Sequence, residues 1–255
     1  MFGIILPITA MSGFGVSATR LGMPDAGLIS YGEILDQGRN ICSAVPIPVF
    51  GDADTGYGNA QNIKRSLQGY AQAGFAAIML EDQTWPKRCG HVHGKQVVER
   101  HEAISRIQAA VDARNEIGAD ILIIGRTDAR TTHGMDEALE RANSFIELGA
   151  DISFLEAPES VDEMRTYCQQ VPGFKMANML EHGKTPYLPA TELQALGYHM
   201  VAYAVTLLSS SIKAMQNSLQ TLAADKQATE ILDFADLKEV VGFTAYDKDE
   251  QRYNS

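Results

Sequence analysis

The sequence predicts an α/β barrel of the (β/α)8 type, and two repeated observations support this fold class. First, a glycine closes a helical stretch and a short apolar run follows it, at Gly74, Gly118, Gly149, Gly173 and Gly197. Glycine is expected just past a helix C-terminus, where φ is positive. Second, the runs are apolar on both faces, as in parallel strands that are covered on each side. Alternating helices and runs therefore predict a parallel sheet.

The runs predict seven strands: Ile4 to Ser12, Ile47 to Asp54, Phe75 to Asp82, Ile121 to Asp128, Ile152 to Glu156, Phe174 to Asn178 and Tyr198 to Tyr203. Between them, apolar residues recur on one helical face, as in Ile63, Leu67, Tyr70 and Ala71, or Met135, Ala138, Leu139 and Ala142. A closed barrel has eight strands, so either the first strand–helix unit is absent from this chain or one strand is not recognised in the pattern. We expect one domain over residues 1–255, with a C-terminal helical extension from about residue 205.

Composition limits the classes of function. The 255 residues suit a single barrel, and 21 Lys and Arg against 32 Asp and Glu give a net charge of −11. A phosphate backbone needs a basic face, so nucleic-acid binding is not expected. The apolar start, Met1 to Ala10, has no positive region and is too short to cross a bilayer, so we expect neither a signal peptide nor a membrane span. Three widely spaced cysteines indicate a reducing compartment, and we expect a cytoplasmic protein.

Acidic residues follow two neighbouring predicted strands. Asp52 and Asp54 stand two residues apart at a strand end, before a glycine-rich turn, and Glu81 ends the next strand. Hard cations such as Mg²⁺ bind oxygen ligands and keep several waters, so these carboxylates are candidate metal ligands. The alternative is that Asp and Gly serve only as capping and turn residues.

The loop Lys87-Arg88-Cys89-Gly90-His91 directly follows that acidic strand end. Its basic residues would favour the thiolate form of Cys89, which makes the cysteine a candidate for chemistry. Two alternatives are a merely solvated basic loop and a zinc site formed with His91 and His93. Structural zinc sites draw ligand pairs from two segments, and the chain offers no second Cys/His pair.

Three further polar residues end apolar strands: Arg126, Glu156 and Asn178. Arg126 could hold a substrate carboxylate with two hydrogen bonds. The alternative is an internal salt bridge to Glu156 or Asp128, and the two roles can coexist. Glu156 is a candidate acid, base or anchor, and Asn178 could donate a hydrogen bond to a substrate oxygen.

Five ordered motifs together resemble the isocitrate lyase/phosphoenolpyruvate mutase superfamily. They are Gly51-Asp-Ala-Asp-Thr-Gly-Tyr-Gly58, Leu80-Glu-Asp-Gln83, Lys87-Arg-Cys-Gly-His91, Gly125-Arg-Thr-Asp-Ala129 and Leu155-Glu-Ala-Pro158. The likeness runs over nearly the whole chain and is greatest for the short lyases, the 2-methylisocitrate lyase, 2,3-dimethylmalate lyase and petal-death-protein type.

The resemblance implies a (β/α)8 barrel whose C-terminal helices swap between subunits of a homotetramer, a dimer of swapped dimers. It implies Mg²⁺, which Mn²⁺ can replace, near Asp52, Asp54, Glu81 and Asp25, partly through water. It also implies site roles for the residues matched to the family: Ser12 and Gly13 cradle the substrate carboxylate, Arg126, Glu156 and Asn178 hold the substrate, and Lys87 to His91 form a gating loop in which Lys87 and His91 assist and Cys89 donates or accepts a proton.

The implied activity is a carbon–carbon lyase that cleaves a 2-hydroxy di- or tricarboxylate to a 2-keto acid and a carboxylate. Three alternatives remain: an oxaloacetate hydrolase or decarboxylase on the same scaffold, a phosphonate mutase, and an inactive homologue that lacks the first unit. Mutases of this superfamily lack the loop cysteine, so Cys89 argues against them. Two local departures from the family are Ala10, where an aromatic residue is usual, and Ala204, where proline is common.

Overall fold

The computed structural model describes residues 7–90 and 94–254. The chain divides into two compact units, Met1–Thr206 and Leu207–Ser255. The second unit begins at Leu207, close to residue 205, where the sequence predicts that the C-terminal helical extension starts. That the two units form one domain stays a prediction.

The first unit contains a seven-stranded parallel sheet in the order of the chain, which forms a nearly closed barrel. The strands are β1 (Thr9–Met11), β2 (Val49–Asp52), β3 (Ala77–Glu81), β4 (Leu122–Thr127), β5 (Ile152–Leu155), β6 (Phe174–Asn178) and β7 (Met200–Ala202). Every predicted strand is present, and most are shorter than the predicted run. The first residues of the run Ile4 to Ser12 lie outside the described residues.

Helices cover the sheet between successive strands. They are α1 (Gly13–Val16), α2 (Tyr31–Ala44), α3 (Ala60–Ala73), α4 (Arg100–Ile117), α5 (Ala129–His133), α6 (Met135–Glu147), α7 (Val161–Gln170) and α8 (Ala190–Leu196). A π-helical turn, Ser17–Leu21, follows α1. The alternation of strands and helices confirms the predicted α/β barrel class.

Local sequence explains where the helices begin and end. Helix α2 starts at a capping box, in which the Ser30 side chain accepts from the Glu33 amide and the Glu33 side chain accepts from the Ser30 amide. Helices α3 and α4 end at Gly74 and Gly118, whose φ angles of 93° and 61° lie in the left-handed region. Glycine adopts this region without steric cost, so the glycine signal in the sequence marked true helix ends.

The predicted apolar faces point into the core. On α3, Ile63, Leu67 and Tyr70 are fully buried, and Ala71 packs against them while partly exposed. Strands β2 and β3 are buried along their whole length. Burial on both faces is the reason these strands read as continuous apolar runs rather than as an alternating pattern.

One core contact positions the first acidic motif. The hydroxyl of Tyr70 donates to the backbone carbonyl of Asp52 at 2.6 Å. The Tyr70 and Phe75 rings stack with centroids 4.7 Å apart. A Cβ atom at Gly51 would lie 2.6 Å from Phe75 and 2.7 Å from Tyr70, so the close approach of β2 to these rings requires glycine. The packing of α3 therefore fixes the strand end that carries Asp52.

The second unit consists of α9 (Thr206–Ala223), which begins at the last residue of the first unit, α10 (Phe234–Val240) and α11 (Phe243–Tyr253). None of the residues of these helices is buried, and several large apolar side chains are exposed, among them Leu207, Leu219, Phe234 and Val240. Within residues 7–90 and 94–254, no helix is long and apolar enough to cross a membrane.

Replacing Tyr70 with phenylalanine tests the contact that holds β2. We expect Tyr70→Phe to lower the free energy of unfolding by about 1–3 kcal/mol, because the buried Asp52 carbonyl loses its donor while the ring packing stays. Urea denaturation followed by circular dichroism measures the change. The matched control is Tyr187→Phe at a half-exposed ring, and an equal loss in both variants would contradict the assignment.

Candidate active site

A cavity of about 80 Å³ opens at the carboxyl ends of the strands. Its lining includes most of the residues predicted for the site: Ser12, Asp25, Asp52, Glu81, Lys87, Cys89, Arg126, Glu156 and Asn178. Gly13 and Asp54 adjoin this lining, since a Cβ atom at Gly13 would come within 3.1 Å of both the Asp52 and Asp54 carboxylates. The structure thus brings together every predicted site residue that it describes, and His91 lies outside the described residues.

The Asp52 carboxylate is fixed by backbone donors. Oδ2 accepts from the Gly13 amide at 3.1 Å, and Oδ1 accepts from the Asp54 amide at 3.0 Å. Asp54 has φ 49°, an uncommon value for a residue other than glycine. The Ser12 side chain caps α1 by accepting from the Gly15 amide at 3.4 Å. The segment predicted to cradle a carboxylate is therefore in contact with the acidic motif.

Lys87 lies among the carboxylates. Its Nζ is 2.5 Å from Asp25 Oδ1 and 2.7 Å from Asp54 Oδ1, and its side chain is buried. Burial opposes the charge of this ammonium group, but Asp54, Asp52 and their neighbours outweigh that effect and raise the pKa of Lys87. Lys87 is therefore charged, and its partners are the carboxylates. Its predicted influence on the Cys89 thiol stays a prediction.

Burial disfavours the charged form of the carboxyl groups around Lys87. Burial raises the pKa of Asp25 despite Lys87, raises that of Asp54 to about 7, and raises that of Glu81 well above its usual value despite Arg126. Asp54 Oδ2 and Glu81 Oε1 are buried without a hydrogen-bond partner in the described part of the chain. Buried carboxylate oxygens without donors are groups that a bound cation would satisfy.

The carboxylate oxygens of this site are the type of ligand that Mg²⁺ binds. Within the described ranges, no group of three or more acidic, histidine or cysteine side chains is arranged to hold a metal ion directly. Mg²⁺ usually keeps several waters and takes only one or two protein carboxylates, so it does not require such a group. The residues present match a metal held partly through water, with Asp52 lining the cavity beside the unsatisfied oxygens.

Arg126 takes part in a network of buried ion pairs. Its guanidinium donates to Asp128 through Nε at 2.8 Å and Nη2 at 3.1 Å, and approaches Glu81 at 3.3 Å and Glu156 at 3.7 Å. Lys95 Nζ donates to Asp128 at 2.7 Å. Burial opposes the charge of Asp128, but Arg126 and Lys95 outweigh it and lower the pKa of its carboxyl. The internal salt bridge considered from the sequence is present, and a grip on a substrate carboxylate stays a prediction.

The loop that carries Cys89 packs against Arg126 and Glu156. A Cβ atom at Gly90 would be 2.6 Å from Arg126 Nη2 and 2.7 Å from the Glu156 carboxyl, so only glycine fits there. Cys89 is half-buried and is not in a disulfide. The zinc alternative depends on His91 and His93, which the structure does not describe, and it stays untested.

The sequence analysis gave no role to three buried polar residues around the site, Gln83, Lys95 and Asp82. Gln83 bonds the backbone of Arg88, and Lys95 bonds Asp128. Asp82 accepts from the Thr127 hydroxyl, the Asp128 amide and Arg141. The only available signal was the presence of charged or amide residues beside apolar runs, and that signal does not identify their partners.

Comparison with known proteins identifies the class that this fold and site define. Residues 5–223 match the family described as phosphoenolpyruvate phosphomutase, and the chain belongs to this family, within the phosphoenolpyruvate mutase/isocitrate lyase superfamily. This confirms the resemblance drawn from the motifs.

Individual relatives narrow the class. The chain is 42% identical to 2,3-dimethylmalate lyase of Eubacterium barkeri, over 95% of this chain and 85% of the relative. It is 38% identical to 2-methylisocitrate lyase of Aeropyrum pernix, over 93% and 77%. It is also 37% identical to the chloroplastic carboxyvinyl-carboxyphosphonate phosphorylmutase of Arabidopsis thaliana, over 96% and 74%. The named lyases confirm the predicted carbon–carbon lyase class.

Solved structures agree with the fold. A crystal structure of 2,3-dimethylmalate lyase superposes with a TM-score of 0.92 at 33% identity, covering 97% of this chain and 84% of that one. Oxaloacetate acetylhydrolase bound to 3,3-difluorooxalacetate gives 0.93 at 30%, covering 97% and 85%. A phosphonopyruvate hydrolase solved with oxalate and Mg²⁺ gives 0.83 at 25%, covering 98% and 95%. At least one protein with this fold therefore binds Mg²⁺ together with oxalate.

The buried Asp128 network makes a pH-dependent prediction. We expect Asp128→Asn to destabilise the chain by about 3–5 kcal/mol at neutral pH, because Arg126 and Lys95 lose their shared anion. The folded pKa of Asp128 is lowered, so its stabilisation is complete above the unfolded pKa of about 4 and is lost as the pH falls towards the folded value.

Thermal unfolding midpoints of wild type and variant from pH 7 down to pH 3 measure this effect, and the gap between them should narrow only at the acid end. The matched control is Asp162→Asn, at an exposed ion pair with Arg165, for which we expect a change below about 1 kcal/mol. A gap that stays constant through the acid range would show that the Asp128 charge is not its source.

Proposed function

We propose that this chain cleaves the C2–C3 bond of a small 2-hydroxy dicarboxylate with alkyl substituents, a 2,3-dialkylmalate, in a Mg²⁺-dependent reaction. The observation that carries the proposal is the composition of the cavity lining. Charged groups lie at the strand ends, and five apolar lining residues form one contiguous cluster: Phe50, Met79, Phe154, Met176 and Ala202. A substrate with two carboxylates and short alkyl groups matches such a lining.

Charge favours a dicarboxylate over a tricarboxylate such as 2-methylisocitrate. The described cations that line the cavity are Lys87, Arg88 and Arg126. Lys87 already pairs with Asp25 and Asp54, and Arg126 with Asp128. Each additional substrate carboxylate adds a negative charge to a site rich in carboxylates, where like charges oppose each other at short range.

The substrate would be held by groups from several strand ends. Arg126 presents its guanidinium to the cavity while stacking on the Phe154 ring, 5.3 Å from the centroid. Asn178 and Glu156 line the same space, and the Ser12–Gly13 segment offers a hydroxyl and a backbone turn for a carboxylate. Binding groups drawn from different strands at the carboxyl face are the usual arrangement in barrels of this type.

Residues of this site can accept and donate every proton that the cleavage moves. The 2-hydroxyl proton passes to a site carboxylate, for which Glu156 is the candidate, and the C2–C3 bond breaks as C2 becomes a ketone. The electron pair of that bond stays on C3, and the Cys89 thiol protonates C3 as a positioned general acid. The products are a 2-keto acid and a carboxylate. The loop that carries Cys89 would also exclude water.

A divalent ion, held by Asp52 and through water by Asp54, Glu81 and Asp25, would supply Lewis-acid stabilisation of the developing negative charge on the 2-oxygen. The support for this assignment is the pair of buried unsatisfied carboxylate oxygens and the carboxylate pKa values raised by burial. Lys87 contributes a fixed positive charge to the same end of the cavity. Mg²⁺ and Mn²⁺ both suit these oxygen donors.

The proposal extends to assembly and location. We propose a homotetramer in which the C-terminal helices of one subunit are covered by another, because unburied helices rich in large apolar side chains require a partner surface. The cytoplasm suits a chain whose three cysteines form no disulfide in the described ranges.

A substrate comparison tests the proposed function. Purified chain with Mg²⁺ is assayed on 2,3-dimethylmalate, 2-methylisocitrate and oxaloacetate, and products are identified by NMR. We expect kcat/KM for 2,3-dimethylmalate to exceed the other two by about tenfold or more, a difference within reach of one poorly accommodated group. Removal of the metal with EDTA should abolish turnover, and added Mg²⁺ should restore it. The highest kcat/KM on oxaloacetate, with oxalate and acetate as products, would support the hydrolase instead.

Replacement of Cys89 tests the proton donor. We expect Cys89→Ser to reduce kcat by about 10²–10⁴-fold, the range for loss of a general acid. Binding of oxalate in the presence of Mg²⁺, measured by calorimetry, should stay within about twofold of wild type, since that ligand needs no proton. Cys42→Ser is the control at a cysteine outside the cavity. Wild-type turnover by the Cys89 variant would refute the assigned role.

A further inference from the structure

We propose that Gln83 and Lys95 are positioning residues that hold the loop backbone on both sides of Cys89. Each bonds a different neighbour of the cysteine: Gln83 bonds Arg88, and Lys95 bonds Gly90. The inference depends on the proposed function only in its kinetic test, because the contacts and the accessibility of Cys89 can be examined without any substrate.

Gln83 grips Arg88 with both ends of its amide. Its Nε2 donates to the Arg88 carbonyl at 2.8 Å, and its Oε1 accepts from the Arg88 amide at 3.0 Å. Gln83 is buried and is itself anchored, since Arg106 donates to its carbonyl at 2.7 Å and its backbone pairs with Val97. An asparagine or an aliphatic side chain could not reproduce this two-point contact with a loop residue.

Lys95 holds the loop backbone on the C-terminal side of Cys89. Its Nζ donates to the Gly90 carbonyl at 2.8 Å and to Asp128 Oδ1 at 2.7 Å, and its side chain is almost fully buried. The ammonium therefore joins the loop backbone to the carboxylate that also binds Arg126. Burying a lysine is costly unless its charge is paired, and the pairing here couples the loop to the strand end.

The two contacts confine the residue between them. Cys89 lies between two residues whose backbone groups are both bonded to the barrel, and Gly90 rests against Arg126 and Glu156. A general acid must lie within hydrogen-bond reach of the atom it protonates, and small displacements reduce the rate steeply. Loss of either contact should therefore free the loop, expose the thiol and reduce kcat.

The test uses Gln83→Leu, which removes both hydrogen bonds to Arg88, and Lys95→Met, which removes the bond to Gly90 together with the ion pair to Asp128. Ligand-free protein is treated with iodoacetamide, and alkylation of each cysteine is followed by peptide mass spectrometry. We expect Cys89 to react about tenfold faster in Lys95→Met, a factor that matches the loss of one net hydrogen bond to the loop, and at least as much faster in Gln83→Leu, which loses two. Cys42 and Cys168 are internal references and should react at wild-type rates.

Two further variants separate positioning from a general structural effect. Lys175→Met removes a buried lysine whose Nζ donates to the Gly173 carbonyl at 2.8 Å, at the opposite end of β6, and should leave Cys89 alkylation unchanged. Gln83→Glu keeps an acceptor for the Arg88 amide but loses the donor to its carbonyl, and should give an intermediate rate. In turnover assays, kcat should fall about tenfold in Gln83→Leu while KM changes by less than about threefold.

Wild-type alkylation of Cys89 in both Gln83→Leu and Lys95→Met would overturn the inference. So would acceleration at all three cysteines together, since that pattern indicates general unfolding. If no form of the chain cleaves any candidate substrate, the proposed function fails, and the alkylation rates still decide whether these residues hold the loop.

Discussion

The carboxylate of Asp128 is the acceptor on which the arrangement of the barrel's carboxyl end depends. It receives two hydrogen bonds from Arg126 and one from Lys95, and its own backbone amide is held by Asp82. Asp82 in turn accepts hydrogen bonds from the Arg141 guanidinium and the Thr127 hydroxyl. Because an unpaired buried charge is strongly unfavourable, each member of this chain of contacts fixes the orientation of the next. The guanidinium that faces the cavity and the lysine that bonds the loop therefore share one anchor.

The same end of the barrel contains more negative than positive charge. Among the described residues that line the cavity or pair with its lining, six carboxylates (Asp25, Asp52, Asp54, Glu81, Asp128 and Glu156) accompany four cations (Lys87, Arg88, Lys95 and Arg126). The imbalance is not evenly distributed. Asp128 is paired on two sides and its pKa is lowered, whereas burial dominates at Asp54 and Glu81, whose pKa values are raised. The excess thus lies on the side of the cavity lined by Asp52, where protons or an added cation can compensate it.

Much of this organisation could be predicted from the sequence because it depends on local rules. Glycines such as Gly74 and Gly118 mark helix ends through the backbone geometry they permit, and polar residues at strand ends converge because parallel strands end at one edge. The pairings could not be predicted. Whether Arg126 faces Glu156 or Asp128, and that Lys95 reaches across 33 residues to Asp128, depends on side-chain positions that no sequence period encodes. His91, assigned from the motif alone, lies outside the described residues.

The ion-paired and the apolar parts of the lining differ in how freely they can change, and this difference indicates where selection among substrates can act. Solved structures with lyase, mutase and hydrolase names share this backbone, so the backbone does not choose the reaction. In this chain the charged lining is tied to itself by ion pairs, and a change there disturbs several partners at once. The apolar lining that follows β6 and β7, at Leu180, Ala204 and Val205, lies beyond the strands and outside the ion pairs described above. Loops of this kind tolerate substitution far better than a buried charge network does. Selection among substrates that share two carboxylates and a 2-hydroxyl group is therefore expected to act through these loop residues, while the ion-paired end keeps the chemistry constant.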